Sequence, residues 1–199
     1  MKRPLAARVF KMIAVLAALP AIASAHPGHD GGHDLTWDFA GGFQHPIFGL
    51  DHLLAMIAVG VWAMQIGGRG RWLIPATFVG VMTLGAAIGT QGVAFPAVEQ
   101  MIAASLLVFG LMIAMAKRLP IYAGLGLTAL FALFHGIAHG AEIPANSNGL
   151  SYGLGFVIAT VALHSVGLAL GKLSASQSSW FAKAAGAGVA TVGAVMLVA

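Results

Sequence analysis

Cysteine is absent from this 199-residue chain and charge is scarce: 8% of residues are Asp, Glu, Lys or Arg, while 59% are hydrophobic. Without cysteine there are no disulfides, no thiolate metal sites and no thiol nucleophile. With so little charge the chain is not a soluble domain, in which about 25% of residues are charged. Its apolar content also excludes intrinsic disorder. No GxxxxGK(S/T) loop occurs and no soluble domain is left over, so ATP hydrolysis within this chain is excluded. The composition is that of a protein whose solvent is lipid.

The charge that is present is ordered. Lys2, Arg3, Arg8 and Lys11 precede an apolar stretch over residues 12–23, Pro20 breaks it, and Ala23-Ser24-Ala25 supplies small residues for cleavage. This is the anatomy of a secretory signal peptide, expected over residues 1–25. Its removal leaves six basic and six acidic residues, so the formal net charge of +4 gives no reason to expect a nucleic-acid partner. Residues 26–45 then read as an exported tail containing His and Asp, and residues 46–199 as a single transmembrane domain.

That domain is expected to be all-α, a bundle of six transmembrane helices at 46–66, 72–90, 96–116, 119–139, 150–171 and 180–198. Each run has the roughly 17–25 residues a helix needs to cross the hydrocarbon layer. The connections GGRGR, TQGVAFP, KRLP, EIPANSNG and KLSASQSS are short and contain helix stops. Arg69, Arg71, Lys117, Arg118, Lys172 and Lys183 all fall on one side, which the positive-inside rule makes cytoplasmic. The multi-pass chain is therefore expected in the inner membrane of a bacterium with both mature termini periplasmic. Acidic residues gather at the other side: Asp30, Asp34, Asp38, Asp51, Glu99 and Glu142. An outer mouth with carboxylates and no basic residue concentrates cations.

Ionisable side chains at membrane depth are costly, so they mark pathways or sites by default. The first span opens with HPIFGLDHLLAM, which places His45 and His52 seven residues apart, two turns along one stripe, with Met56 a turn further and Asp51 beside His52. The fourth ends with FHGIAHGAE, where His135 and His139 share one helical face that Glu142 extends outward. This is not the HExxH zinc-protease pattern, because Gly, Ile and Ala stand between the two histidines. Gly136 and Gly140 leave room for another helix. His164 lies in the fifth span, ~18 Å below Tyr152 at helical rise. It is read as a metal residue, with a plain interhelical hydrogen-bond anchor as the alternative. Glu99, Met56 and the tail histidines His26, His29 and His33 are secondary candidates, the last three as a flexible metal collector.

Imidazole with carboxylate and no thiolate suits nickel, cobalt, zinc or copper(II); magnesium and calcium prefer oxygen shells. The residues HPIFGLDH, FHGIAHGAE and LHSVG closely resemble the HupE/UreJ family over essentially the whole mature chain. The resemblance implies a secondary permease that supplies nickel for hydrogenase or urease maturation, cytoplasmic nickel chaperones as possible partners, and His45, Asp51, His52, His135, His139 and Glu142 as functional positions. On this reading the chain is not an enzyme and holds no permanent cofactor; Ni2+ is its substrate, with Co2+ or Zn2+ as alternatives. Two other functions use the same residues: an intramembrane zinc-dependent hydrolase with Glu142 or Asp51 as base, and a metal-binding accessory subunit that does not transport.

Overall fold

A computed structural model describes residues 36–92, 95–144, 147–177 and 179–199. The expected signal peptide and the histidines His26, His29 and His33 lie outside the described residues. Among the described residues there are seven helices and no strand: α1 Phe39–Phe48, α2 Leu50–Ile66, α3 Gly70–Gly89, α4 Val98–Ala114, α5 Ile121–Glu142, α6 Gly149–Gln177 and α7 Ser179–Val198.

Four of these are long and apolar enough to cross a bilayer, namely α3, α5, α7 and the Gly149–Ser174 part of α6. The pair α1–α2 passes the same test only jointly, bent by 78°, so the apolar helices amount to four or five spans. α4 is apolar but has 17 residues, because Pro96 precedes it and Ala97, in the left-handed region at φ 64°, delays its start.

The first expected span is the one the structure redraws. Instead of one straight helix over 46–66, the chain is helical from Phe39, breaks at Gly49 and restarts at Leu50 in a new direction. Residues 39–45, read from sequence as tail, belong to α1. Asp38 starts it: its Oδ1 accepts from the Gly41 N–H at 2.9 Å and from the Thr36 hydroxyl at 2.9 Å. The cap holds the Asp38 carboxyl below its usual range, because these bonds favour the charged form. At the break the Gly49 N–H donates to the His45 carbonyl at 2.9 Å, and Gly49 itself is extended (φ −73°, ψ 110°). A Cβ at Gly49 would stand 2.8 Å from Cδ2 of His52 and 3.2 Å from Oδ1 of Asp51, so the turn and the side chains beyond it need glycine.

Small residues then set which helices meet. Gly136 and Gly140 of α5 lie against the backbone of Met82 and Ala86 in α3, the close approach expected from their spacing. α2 packs along α6, α4 along α7, and α1 lies against the first turns of α6 near Tyr152 and Gly155. Met56, Val59, Trp62, Ile74, Phe78, Phe109 and Phe131 fill the interior. The six basic residues sit at the α2–α3, α4–α5 and α6–α7 junctions, opposite to the end where α5 finishes and α6 begins.

Candidate metal centre

Three helices deliver one histidine each to a common point. His45 comes from the last turn of α1, His52 from the first turns of α2, and His139 from the last turn of α5. All three are buried, and one ligand nitrogen from each lies within 4.8 Å of the others. The rings are 5.2 Å apart for His45–His52, 4.8 Å for His45–His139 and 4.5 Å for His52–His139. The sequence placed His45 and His52 on one helical stripe; in the structure they face each other across the α1–α2 bend.

Neighbouring groups aim the rings. His139 Nδ1 lies 3.4 Å from Glu142 Oε2, and a carboxylate only accepts, so in the neutral ring the N–H sits at Nδ1 and Nε2 keeps its lone pair. Glu142 is included in the last turn of α5 and is partly exposed, which links the cluster to the protein surface. Asp51 Oδ2 lies 3.6 Å from His52 Nδ1, an ion-pair distance, with both side chains buried. Tyr152 of α6 makes a 2.8 Å hydrogen bond with His45 Nδ1. When the His45 Nδ1–H donates to the phenol oxygen, the ring's lone pair lies at Nε2. Phe156, one turn further on α6, packs against His139 at 4.7 Å, His45 at 5.6 Å and His52 at 6.4 Å, giving the cluster an apolar wall.

His135 lies one turn deeper. Its Nδ1–H donates to the Phe131 carbonyl at 3.0 Å, so Nε2 carries the lone pair, and that atom has no hydrogen-bond partner among the described residues. Its ring is 5.9 Å from His52. The remaining expected residues are elsewhere. Met56 is fully buried in the apolar core, Glu99 is exposed in the first turn of α4, and His164 packs against Phe78, away from the three-histidine group.

The sequence matches the HupE / UreJ protein family over residues 13–196. The chain belongs to the HupE/UreJ family. It is also 42% identical over 182 residues to Protein HupE of Rhizobium leguminosarum bv. viciae, covering 91% of this chain and 93% of that protein. No solved structure matches it. The HupE/UreJ match takes in every residue of the centre, from His45 to Phe156. Tyr152 and Phe156 belong to the centre although neither is a charged residue or a histidine of the kind that marks a site in a membrane span. Their signal was faint: an i, i+4 aromatic pair opening a span on the same side as Glu142.

Proposed function

We propose that this protein is a secondary, ATP-independent permease for a divalent transition metal, nickel first, with cobalt and zinc as competing ions. It would serve hydrogenase or urease maturation from the inner membrane and release the ion towards cytoplasmic nickel chaperones. The observation that supports this reading most is the buried grouping of His45, His52 and His139 from three separate helices. Neutral imidazoles suit a borderline dication and supply no charge of their own. Asp51, buried beside His52, offsets part of the charge that the ion brings into the bilayer. Membership of the family and likeness to a HupE protein agree with it.

In this mechanism the basic-residue-free outer end attracts the cation, and Glu142 passes it to His139. Imidazoles then replace bound water stepwise, so that the loss of hydration is spread over several contacts. The site must hold the ion firmly enough to admit it and loosely enough to release it. Six crossings complete the path if α1–α2 counts as one and the short α4 as another. Both mature termini would then be periplasmic.

Purified protein reconstituted into liposomes that enclose a metal-sensitive dye tests the proposal. Added Ni2+ should enter without ATP or a partner protein. Ni2+ binding without entry would replace the permease by an accessory metal-binding subunit, and zinc-dependent cleavage of a lipid amide would replace it by a hydrolase.

A further inference from the structure

His164 is buried at 2% exposure, and neither of its ring nitrogens has a hydrogen-bond partner among the described residues. An interhelical anchor would use at least one of them, so that role does not account for the residue. The ring packs edge-on against Phe78 at 5.2 Å and 85°. Phe78 in turn packs against His135 at 5.5 Å, so one phenyl ring of α3 touches both the His135 ring, whose Nε2 is unpartnered, and the unpartnered ring of His164. Two more buried polar atoms lack partners on the same helices. Thr160 precedes His164 by one turn on α6, and Thr128 lies two turns below His135 on α5; both are fully buried. Polar side chains in a membrane interior are ordinarily paired, and this group is not.

We infer that His164, with the hydroxyls of Thr160 and Thr128, forms a second and weaker cation station on the inner side of Phe78. The inference rests on the permease reading, because it gives the ion a place to go after the three-histidine centre. Imidazole suits the same borderline dication, and the neutral hydroxyls add only weak oxygen donors. One imidazole holds such an ion less tightly than three, which suits a step that has to end in release. Phe78 separates the two stations by an apolar ring, so passage between them requires that ring to turn aside.

The test uses full-length protein and Ni2+ as the only ligand. His164→Phe keeps a ring against Phe78 and removes both nitrogens; His164→Ala is the second variant. Both should bind Ni2+ at the outer centre with the wild-type affinity, while liposome uptake falls at least about tenfold, the effect of roughly 1.4 kcal/mol on a barrier. Wild-type uptake in His164→Phe overturns the inference, and so does a parallel loss of outer-centre affinity, which would make His164 a support of that centre. Titration needs no transport and separates this inference from the permease reading. A protein carrying His45→Ala, His52→Ala and His139→Ala together should retain weak Ni2+ binding that the further change His164→Phe removes. Weak binding indifferent to His164, or none at all, overturns the inner station even if uptake by the wild type is proven.

Discussion

Tyr152 offers the sharpest test of the metal centre, because it touches no ion on this reading and still should control affinity. Its hydroxyl and Nδ1 of His45 are 2.8 Å apart in a buried setting. Of the two neutral tautomers of His45, only the one with hydrogen on Nδ1 puts the lone pair that a metal needs on Nε2, and in that tautomer the phenol oxygen accepts the Nδ1–H. Tyr152→Phe removes the acceptor and nothing else. The ring remains against Trp37 at 5.1 Å and Phe156 at 6.4 Å. In the metal-bound state the Nδ1–H would then be buried without a partner, which costs about 1–3 kcal/mol. That corresponds to ~5- to 150-fold in affinity, and the usual effect of removing a hydrogen bond behind a ligating histidine, ~10- to 100-fold, falls in this range.

Competition of the detergent-solubilised protein with a coloured chelator for Ni2+ measures this directly. The expected result is a dissociation constant raised by ~10- to 100-fold, with thermal stability lowered by no more than the ~1 kcal/mol that one buried hydrogen bond contributes. Uptake at saturating Ni2+ should be much less affected, because a weaker site releases its ion more readily. If Tyr152→Phe binds Ni2+ as the wild type does, His45 does not ligate through Nε2 and the proposed arrangement of the centre is wrong.

Other perturbations have distinct signatures. His139→Ala removes one of three imidazoles and should abolish tight Ni2+ binding, whereas His135→Ala should leave that binding largely intact and slow uptake; equal binding losses would place His135 in the same shell. Gly49→Ala sets a Cβ 2.8 Å from the His52 ring and should weaken Ni2+ binding with little loss of membrane-inserted protein, a result checked by titration beside an expression blot. Asp51→Asn keeps shape and removes a buried negative charge, so maximal uptake should fall at every Ni2+ concentration, and rescue by excess metal would contradict the role given to that charge. Single cysteines in place of Gln91 and Arg118, both exposed at helix ends, should react with an impermeant thiol reagent from opposite sides of the membrane; reaction from one side refutes the orientation.

The fold was legible in sequence wherever a span is bounded by residues that stop a helix on their own. KRLP before α5 and the Pro96 that precedes α4 are such stops, and the last helix, expected at 180–198, runs over Ser179–Val198. The three histidines that the structure brings together, His45, His52 and His139, are each visible in the sequence, because an imidazole in a hydrocarbon run is rare enough to be noticed singly. What local pattern does not encode is which of them meet. His135 and His139 look like the natural pair, being i and i+4, yet the structure groups His139 with His45 and His52 and places His135 a turn below. The partner of His45, Tyr152, is 107 residues away. No periodicity reports a contact of that range.

The break at Gly49 explains why. A continuous helix would hold His45 and His52 about 10 Å apart along its axis, since seven residues rise ~1.5 Å each. That is too far for one ion. Turning the chain by 78° between them brings the two rings to 5.2 Å. The bend is supported from outside the motif: Asp38 fixes the start of α1, Gly42 lies against the backbone of Tyr152, and the Tyr152 hydroxyl reaches His45. The HPxxGxDH spacing therefore supplies ligands and a glycine at which to turn, while α6 determines where the turn leads. The geometry of the three-histidine cluster therefore depends on the packing of α1 on α6 as much as on the histidines. Substitutions on that contact, remote from the ion, should accordingly act on affinity before they act on the fold.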